Sequence, residues 1–525
     1  MSDVRFSART WRILTYVCYG ALITWIALAT AGIDPHNSDT VANFIAVTNI
    51  KEGGTLYAVA HTNVLKAPLY LLALALYGYS QDAVVFVDAV STIGFNALMA
   101  WCVLVWTRSQ ARPYLVVLPF LYLAVLSPLF ILLTTHPGLR NIDIGASFVW
   151  LGLILSDKLK PRYRALAVPL AAILVLNDPW FVTTFAGPAI IAAFLIKVGT
   201  EEKPDAARVK LLVPTLAIVG VALGFALRAA IEVTHLVQFV GGETDYRVAT
   251  ADRLGFNLGL TAEVLLRYFD AWLFGQPLVS RSVLNGVANL ALIGTGIWGL
   301  IQGAKSQDLT VRRVSIYVLI AAILNLVLFA FTNAPSDGWS GRYVVFFPIA
   351  VVMGLTIGLS HSPAKNNVPR WGILALIVIS VVAHMLALGD TAANLCNTTR
   401  TANERRILEA LAETGLVYGY SDYWNSLNTT FYSGQTMRVW AISCDGGRLR
   451  PRDWWSQSRW YLPNVDHHPS FVLINVTEPT DLQGCGREAL VRQFGPAKIM
   501  SIDRANIQIG EVFIWDYDIA SMFAP

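Results

Sequence analysis

Long apolar segments recur along the first 390 residues and constrain the fold more than any other feature. A helix needs about 20 apolar residues to cross the hydrocarbon core of a bilayer. Eleven candidate segments lie near residues 13–32, 83–106, 113–134, 143–157, 165–176, 180–196, 211–232, 283–303, 314–332, 343–360 and 371–389. Only 14% of the residues are charged, against about 25% in soluble domains. The sequence predicts an α-helical polytopic membrane bundle of about 11 transmembrane helices.

The distribution of Lys and Arg predicts the orientation of this bundle. Cytoplasmic loops carry an excess of these residues. With the N-terminus inside, the short inward segments hold eighteen of them, whereas the longer outward segments hold far fewer. We therefore expect a multi-pass protein, typical of a bacterial inner (plasma) membrane, with a cytoplasmic N-terminus. An odd number of helices would place the C-terminus on the periplasmic or extracellular side.

Two long outward loops follow from this orientation. The segment 66–80, "KAPLYLLALALYGYS", is apolar but short, and a crossing there would reverse the charge bias of every later loop. We expect it to lie near the outer interface as a short helix. The loops then cover residues 34–82 and 233–282, within a transmembrane domain of residues 1–389.

Residues 390–525 are expected to form an extracytoplasmic soluble α/β domain. Apolar runs at 471–476, 498–503 and 512–517 are typical of strands, and 404–415 has helical periodicity with a terminal Gly. "YSDYWNSLNTTFYSG" predicts a second helix. An oxidising compartment would permit one disulfide here, for which Cys444–Cys485 is the favoured pair. No basic stripe with interleaved aromatic residues indicates nucleic-acid binding.

The first outward loop carries several polar residues that could perform chemistry. Asp39 follows a turn-forming "PHNS" and precedes an apolar-periodic helix, so a helix-capping role competes with a catalytic one. Lys66 opens the short apolar segment and Arg342 lies beside a later one. Anchoring of these two cations at the interface by their long side chains is the alternative to a catalytic role.

Three motifs in this order resemble the GT-C superfamily of membrane glycosyltransferases. Asp39 is followed by Gly53 and Gly54 and then by "KAPLY" (66–70); "THPGLRNIDIGASFVW" places Asp143 at the start of a helix; "SGRYVVFFP" spans 340–348. The pattern is most similar to protein mannosyltransferases and aminoarabinose lipid A transferases, which use polyprenyl-phosphate-linked sugars. The resemblance covers the chain to about residue 390.

The resemblance implies transfer of a sugar from a polyprenyl-phosphate donor to an extracytoplasmic glycan, lipid or protein. Asp39 would act as the catalytic base in an inverting displacement. Cations would stabilise the departing phosphate, with Lys66, Arg342 and Arg140 as candidates and Arg247 in reserve. Membrane lipids are the other expected partners.

Further polar residues stand at apolar depth and could line the substrate cavity. They are Asp88, Asp143, Asp178 and His61. A turn Asp before Pro is the alternative for Asp178, and an ordinary loop histidine is the alternative for His61. No cofactor is certain. Relatives often have an acidic residue before the Lys of the Lys-Pro motif, where this chain has Leu65, so a divalent metal, Mg²⁺ or Mn²⁺, stays open.

Other functional classes fit the sequence less well. A transporter or flippase for lipid-linked saccharides would favour paired halves with discontinuous helices, and the sequence has no two-fold internal similarity. A polymerase of lipid-linked saccharides would favour a late, Arg-rich outer loop. A catalytically silent receptor remains open because Asp39 has no obvious acidic partner in the sequence.

Overall fold

The computed structural model contains a helical bundle and a C-terminal region rich in strands. It describes residues 8–31, 38–49, 54–59, 61–107, 109, 112–135, 140–155, 159–195, 204–240, 247–333, 335–361, 367–395, 398–464, 469–477, 482 and 485–523.

Nineteen α-helices are described in these ranges. They are α1 (Ala8–Thr30), α2 (Ser38–Asn49), α3 (Ala67–Tyr77), α4 (Gln81–Trp106), α5 (Tyr114–Ala124), α6 (Pro128–Thr135), α7 (Asn141–Leu155), α8 (Pro161–Arg164), α9 (Ala167–Asn177), α10 (Gly187–Leu195), α11 (Pro204–Val233), α12 (Ala251–Tyr268), α13 (Arg281–Ala304), α14 (Leu309–Phe331), α15 (Phe346–His361), α16 (Asn367–Leu395), α17 (Thr398–Thr414), α18 (Tyr423–Tyr432) and α19 (Gly486–Phe494). A π-helical turn, Val182–Ala186, precedes α10.

Nine strands form two sheets. They are β1 (Leu56–Val59), β2 (Val237–Val240), β3 (Tyr418–Ser421), β4 (Arg438–Asp445), β5 (Arg448–Pro451), β6 (Ser456–Gln457), β7 (Ser470–Asn475), β8 (Lys498–Arg504) and β9 (Ile507–Trp515). The larger sheet has the order β5-β4-β3-β7-β9-β8, with β3 parallel to both of its neighbours. The smaller has the order β2-β1-β6.

The predicted count of about eleven transmembrane helices is not confirmed. Among the described residues, six helices are long and apolar enough to cross a membrane, or seven if the pair α5 and α6, bent by 94°, counts as one span. The other predicted segments are helical but short. Asp178-Pro179 separates α9 from the helical turn that follows, and α7 has 15 residues, which rise only about 22 Å at 1.5 Å per residue.

Contacts between connecting segments show which of them lie at the same end of the bundle. At one end, Thr62 donates a hydrogen bond from its backbone to the Asn177 carbonyl at 2.7 Å. At the end reached by the C-termini of α4 and α15, the Ser109 hydroxyl donates to Ser360 at 2.8 Å. The first outward loop therefore lies at the end opposite the 107–113 loop.

The C-terminal region has the mixed α/β character that the sequence predicts. Strands β7, β8 and β9 overlap the three predicted runs, and α17 and α18 overlap the two predicted helices. Gly415 follows α17 with φ +69°. Cys444 and Cys485 form a disulfide, which confirms the favoured pairing. The boundary predicted at residue 389 falls within α16, which continues to Leu395.

The first outward loop packs into the C-terminal region. Phe44 of α2 contacts Tyr70 of α3 with ring centroids 4.8 Å apart and Phe431 of α18 at 5.2 Å. Strand β1 pairs with β2 from the second outward loop and with β6 from the C-terminal region. Both loops and the C-terminal region are therefore joined at one end of the bundle by a shared sheet and a shared hydrophobic core.

Candidate active site

The segment before α3 buries Lys66. The Leu65 backbone N–H donates to Asn177 Oδ1 at 2.9 Å, and Asn63 adopts a left-handed conformation with φ 49°, which Asn tolerates better than most residues. These contacts tie the segment to the end of α9. The Lys66 side chain is consequently 0% exposed.

Two carboxylates lie close enough to Lys66 to act on its charge. Burial lowers the pKa of Lys66 to about 8, while Asp143 and Asp88 oppose this shift. Asp143 belongs to the first turn of α7, and Asp88 lies in α4. Three predicted site residues from three elements thus converge, and the alternative of Lys66 as a solvent-reaching anchor does not fit a fully buried side chain.

Asp143 has few polar contacts for so buried a carboxylate. Its side chain is close enough to Asn177 and to the charges of Lys66, Asp178 and Arg140 to interact with them. Neither carboxylate oxygen, however, has a hydrogen bond of ordinary geometry within the described part of the chain. A buried polar group without such a bond is costly, so a polar group that bonded to Asp143 would be stabilising.

Asp178 and Arg140 form a buried ion pair beside this group. The Arg140 Nε donates to Asp178 Oδ2, and Asp178 Oδ1 accepts from the Trp180 backbone N–H at 2.9 Å. The turn role considered for Asp178 is therefore present together with the ion pair. The Arg140 guanidinium also lies 5.1 Å from the Trp180 ring centroid.

The ring of Tyr343 contacts two arginines. The Arg140 guanidinium lies 5.4 Å and the Arg342 guanidinium 5.2 Å from its centroid. Asp337 caps the short 3₁₀ helix Gly338–Tyr343 and thereby positions both Arg342 and Tyr343. The two guanidinium groups thus lie beside one aromatic ring, an arrangement stabilised by cation–π attraction, and arginine forks are suited to binding anions.

His61 is buried near both acidic and basic residues of the candidate site. Burial, assisted by Arg140 and Arg342, lowers the pKa of His61 to about 4, against the opposing effect of Asp178 and Asp39. Its imidazole is therefore neutral near pH 7. Asp39, Arg140 and Arg342 are therefore all close enough to His61 for their charges to act on the imidazole.

Asp39 is held by the C-terminal region. It lies in the first turn of α2 and accepts a hydrogen bond from the Tyr423 hydroxyl at 2.7 Å. The Ser38 hydroxyl donates to the Tyr423 carbonyl at 2.6 Å. Burial and the Asp39 charge raise the pKa of Tyr423 well above its usual value, so Tyr423 is a neutral donor to the carboxylate.

The eight predicted site residues therefore lie in one connected cluster of charges, although their roles stay predictions. The Arg247 backbone N–H donates to Asn333 Oδ1 at 2.9 Å. No group of three or more His, Cys, Asp or Glu placed to bind a metal occurs in the described ranges. Asp178 is paired with Arg140, and Asp143 and Asp88 are close enough to Lys66 for their charges to interact with it. Gly53 lies outside the described residues.

Sequence reasoning missed four side chains of this site. Three of them lie within two positions of a predicted residue, so proximity in the sequence was an available signal: Asn177, Trp180 and Tyr343. Tyr423 had none, because it meets Asp39 across 384 positions of sequence.

Comparison with known proteins identifies the fold. No protein-family model and no curated protein matches the chain at the sequence level. Among solved structures, ArnT from Cupriavidus metallidurans in the apo state is similar with a TM-score of 0.55 and 11% identity, over 99% of this chain and 100% of that one. The same protein bound to undecaprenyl phosphate is similar with a TM-score of 0.58 and 12% identity over the same shares. The chain has the fold of these structures, as expected from its resemblance to the aminoarabinose transferases.

Proposed function

We propose that the protein is a membrane glycosyltransferase that transfers a sugar from a polyprenyl-phosphate donor to an acceptor hydroxyl on the extracytoplasmic side of the inner membrane. The observation that carries this proposal is the joint position of Asp39, Lys66 and the pair of arginines around Tyr343. A base and an anion site at one end of a membrane bundle are the two elements that the reaction needs. The similarity in fold to ArnT, one structure of which holds undecaprenyl phosphate, supports the donor class.

In the proposed reaction the acceptor oxygen attacks the anomeric carbon of the donor sugar. The bond from that carbon to the phosphate oxygen breaks, and polyprenyl phosphate leaves with the bonding electrons. The acceptor proton passes to the Asp39 carboxylate. Attack opposite the leaving group inverts the anomeric configuration.

Lys66, Arg140 and Arg342 would stabilise the charge that develops on the leaving phosphate. Their guanidinium and ammonium groups are held by burial, by the Asp178 pair and by the Tyr343 ring before substrate arrives. Preorganised charges of this kind stabilise a transition state more effectively than mobile ones. Asp143 would face the sugar or the acceptor from α7.

The decisive experiment compares purified wild type with Asp39→Asn on a panel of polyprenyl-phosphate sugars. Because general-base catalysis contributes about 10²–10⁴-fold, we expect transfer to fall at least about 100-fold. Asp82→Asn is the matched control, since Asp82 is also an acid in the first turn of a helix, α4, and is exposed. Wild-type transfer rates in Asp39→Asn would refute the assignment of the base.

A further inference from the structure

We propose that the groove between β2 and the C-terminal region binds an uncharged carbohydrate acceptor; this rests on the proposed function of Asp39 as the base. The groove is open to solvent and has a volume of about 700 Å³; small-molecule sites usually measure about 300–1,000 Å³. Gln238 and Phe239 of β2 form one wall. Ser443, Arg452, Asp453 and Trp454 form the other.

The C-terminal wall of the groove leads directly to the proposed base. The Arg452 guanidinium lies 4.0 Å from the Trp454 ring centroid and 5.7 Å from that of Tyr423. The rings of Trp454 and Tyr423 are 5.5 Å apart, and the Tyr423 hydroxyl donates to Asp39. A single tyrosine ring therefore links the groove to the carboxylate that would take the acceptor proton.

The β2 wall leads to the proposed donor site. Phe239 lies under the Arg228 guanidinium, 4.0 Å from its ring centroid. Arg228 in turn donates to the Leu176 carbonyl at 3.3 Å and interacts with the charge of Asp178. One wall is thus connected to Asp39 through Tyr423, and the other to Asp178 and its partner Arg140 through Arg228. A ligand in the groove would lie beside both connections.

The chemistry of the lining suits a saccharide. Sugars present hydroxyl groups around apolar ring faces, and the groove offers an indole ring at Trp454 together with an amide at Gln238, a hydroxyl at Ser443 and charged groups at Arg452 and Asp453. Polar groups of this kind can each bond one or two hydroxyls.

The charge of the lining argues against a phosphorylated acceptor. Arg452 is the one basic residue among those that line the groove in the described part of the chain, and Asp453 and Asp445 also line it. The Asp445 carboxylate is paired with Arg450 at 3.4 Å. The lining thus carries no excess of positive charge.

The backbone next to the groove is strained. Trp455 is buried and has φ 48°, a conformation that bulky residues rarely adopt. Such strain persists only where surrounding contacts hold it, and it is frequent at ligand sites. Here it falls directly after Trp454, where the chain turns from the groove into β6.

The test measures saccharide binding to the full-length protein in nanodiscs without any donor, by saturation-transfer NMR. The probes are neutral tetrasaccharides of pentoses and hexoses and the same saccharides with a terminal phosphate. We expect wild type to bind at least one neutral probe, and Trp454→Ala and Gln238→Ala each to weaken that binding about tenfold or more. Trp101→Ala, at a 58% exposed position on α4, is the control and should bind as wild type does.

Gln238 is exposed on an edge strand, so its replacement tests the groove without threatening the fold. Three results would overturn the proposal. The first is binding of the neutral probes that neither substitution weakens. The others are preferential binding of the phosphorylated probes and the absence of any binding of neutral probes by wild type. The binding test contains no donor and therefore does not depend on glycosyl transfer. If transfer did not depend on Asp39, the proposed function would be refuted, and the binding result would still decide whether the groove holds a saccharide.

Discussion

At the scale of single residues, Lys66 is where burial and charge oppose each other most directly. A buried ammonium is costly unless carboxylates or hydrogen bonds offset its desolvation. Asp143 and Asp88 supply part of that compensation, yet burial still dominates and the pKa of Lys66 falls to about 8. The side chain is therefore charged at neutral pH and loses its charge in mildly alkaline solution.

This gives the reaction a predicted alkaline limit. Because Lys66 is protonated below its pKa and the phosphate needs the charged form, kcat/KM should fall as pH rises through about 8. In Lys66→Arg the guanidinium stays charged, so the remaining activity should lack this decline. Pre-steady-state and steady-state rates from pH 6 to 10 would measure it. An unchanged alkaline limb in Lys66→Arg would show that another group titrates.

Tyr423 is expected to position the base without contacting substrate. Its hydroxyl bond to Asp39 is of the charge-assisted kind, worth about 1.5–3 kcal/mol. Tyr423→Phe should therefore lower kcat about tenfold or more while the donor KM stays near its wild-type value. Tyr77→Phe, at a 45% exposed position, should change neither constant. A rise in donor KM with constant kcat would assign Tyr423 to the donor site instead.

At the scale of secondary-structure elements, glycines allow α13 and α15 to pack in backbone contact. A Cβ built on Gly354 would lie 1.9 Å from the Gly296 carbonyl oxygen, and one on Gly299 would lie 2.0 Å from the Gly354 carbonyl oxygen. Small residues are enriched at such interfaces because they let helix backbones approach closely. This contact holds α15 in place, and α15 directly follows the 3₁₀ helix that carries Arg342.

A methyl group in this interface should separate the two helices. Gly354→Ala is expected to lower stability by about 1–3 kcal/mol, the usual cost of overpacking, with a matching fall in Tm in detergent. Gly294→Ala on the same helix pair meets nothing within 4 Å and should be neutral or slightly stabilising, because Ala favours helix more than Gly. Equal melting temperatures for the two variants would contradict the packing.

The small sheet is the element that joins distant parts of the chain. β1 lies between β2 from the second outward loop and β6 from the C-terminal region. The Gln457 side chain adds a bond to the Asn49 carbonyl at 2.7 Å, at the end of α2. Since α2 carries Asp39, the sheet couples the position of the base to both walls of the groove.

At the scale of the whole molecule, site residues and groove all lie at one end of a multi-pass membrane bundle. The charge distribution predicts that this end is extracytoplasmic. The disulfide between Cys444 and Cys485 is the kind of bond that persists in oxidising compartments. It agrees with the predicted side of the C-terminal region.

Cysteine accessibility in intact cells would test this orientation. In a background with Cys18 and Cys396 replaced by Ser, Lys498→Cys on β8 should react with an impermeant maleimide, whereas Lys160→Cys should react only after the cells are opened. Both positions are exposed, so a difference in labelling reports the side of the membrane and not burial. The reverse pattern would place the site in the cytoplasm, where a polyprenyl-phosphate donor is not required.

The sequence by itself determined the features that depend on local composition. Periodicity and turn residues predicted the apolar segments and the helices and strands of the C-terminal region. Motifs predicted the Asp, Lys and Arg residues of the candidate site. The predicted number of spans is not confirmed, because apolar length does not reveal where a bend or an Asp-Pro step ends a helix, as at Asp178.

Only the tertiary structure decided which of these residues meet. Whether Lys66 is a surface anchor or a fully buried cation depends on contacts with Asn177, which is more than a hundred positions away. The hydrogen bond from Tyr423 to Asp39 joins two segments that lie far apart in the sequence. The same holds for β2 and Trp454, which line one groove. The burial of a side chain and its distance from other site residues depend on packing among distant segments. The local sequence around each residue therefore does not predict them.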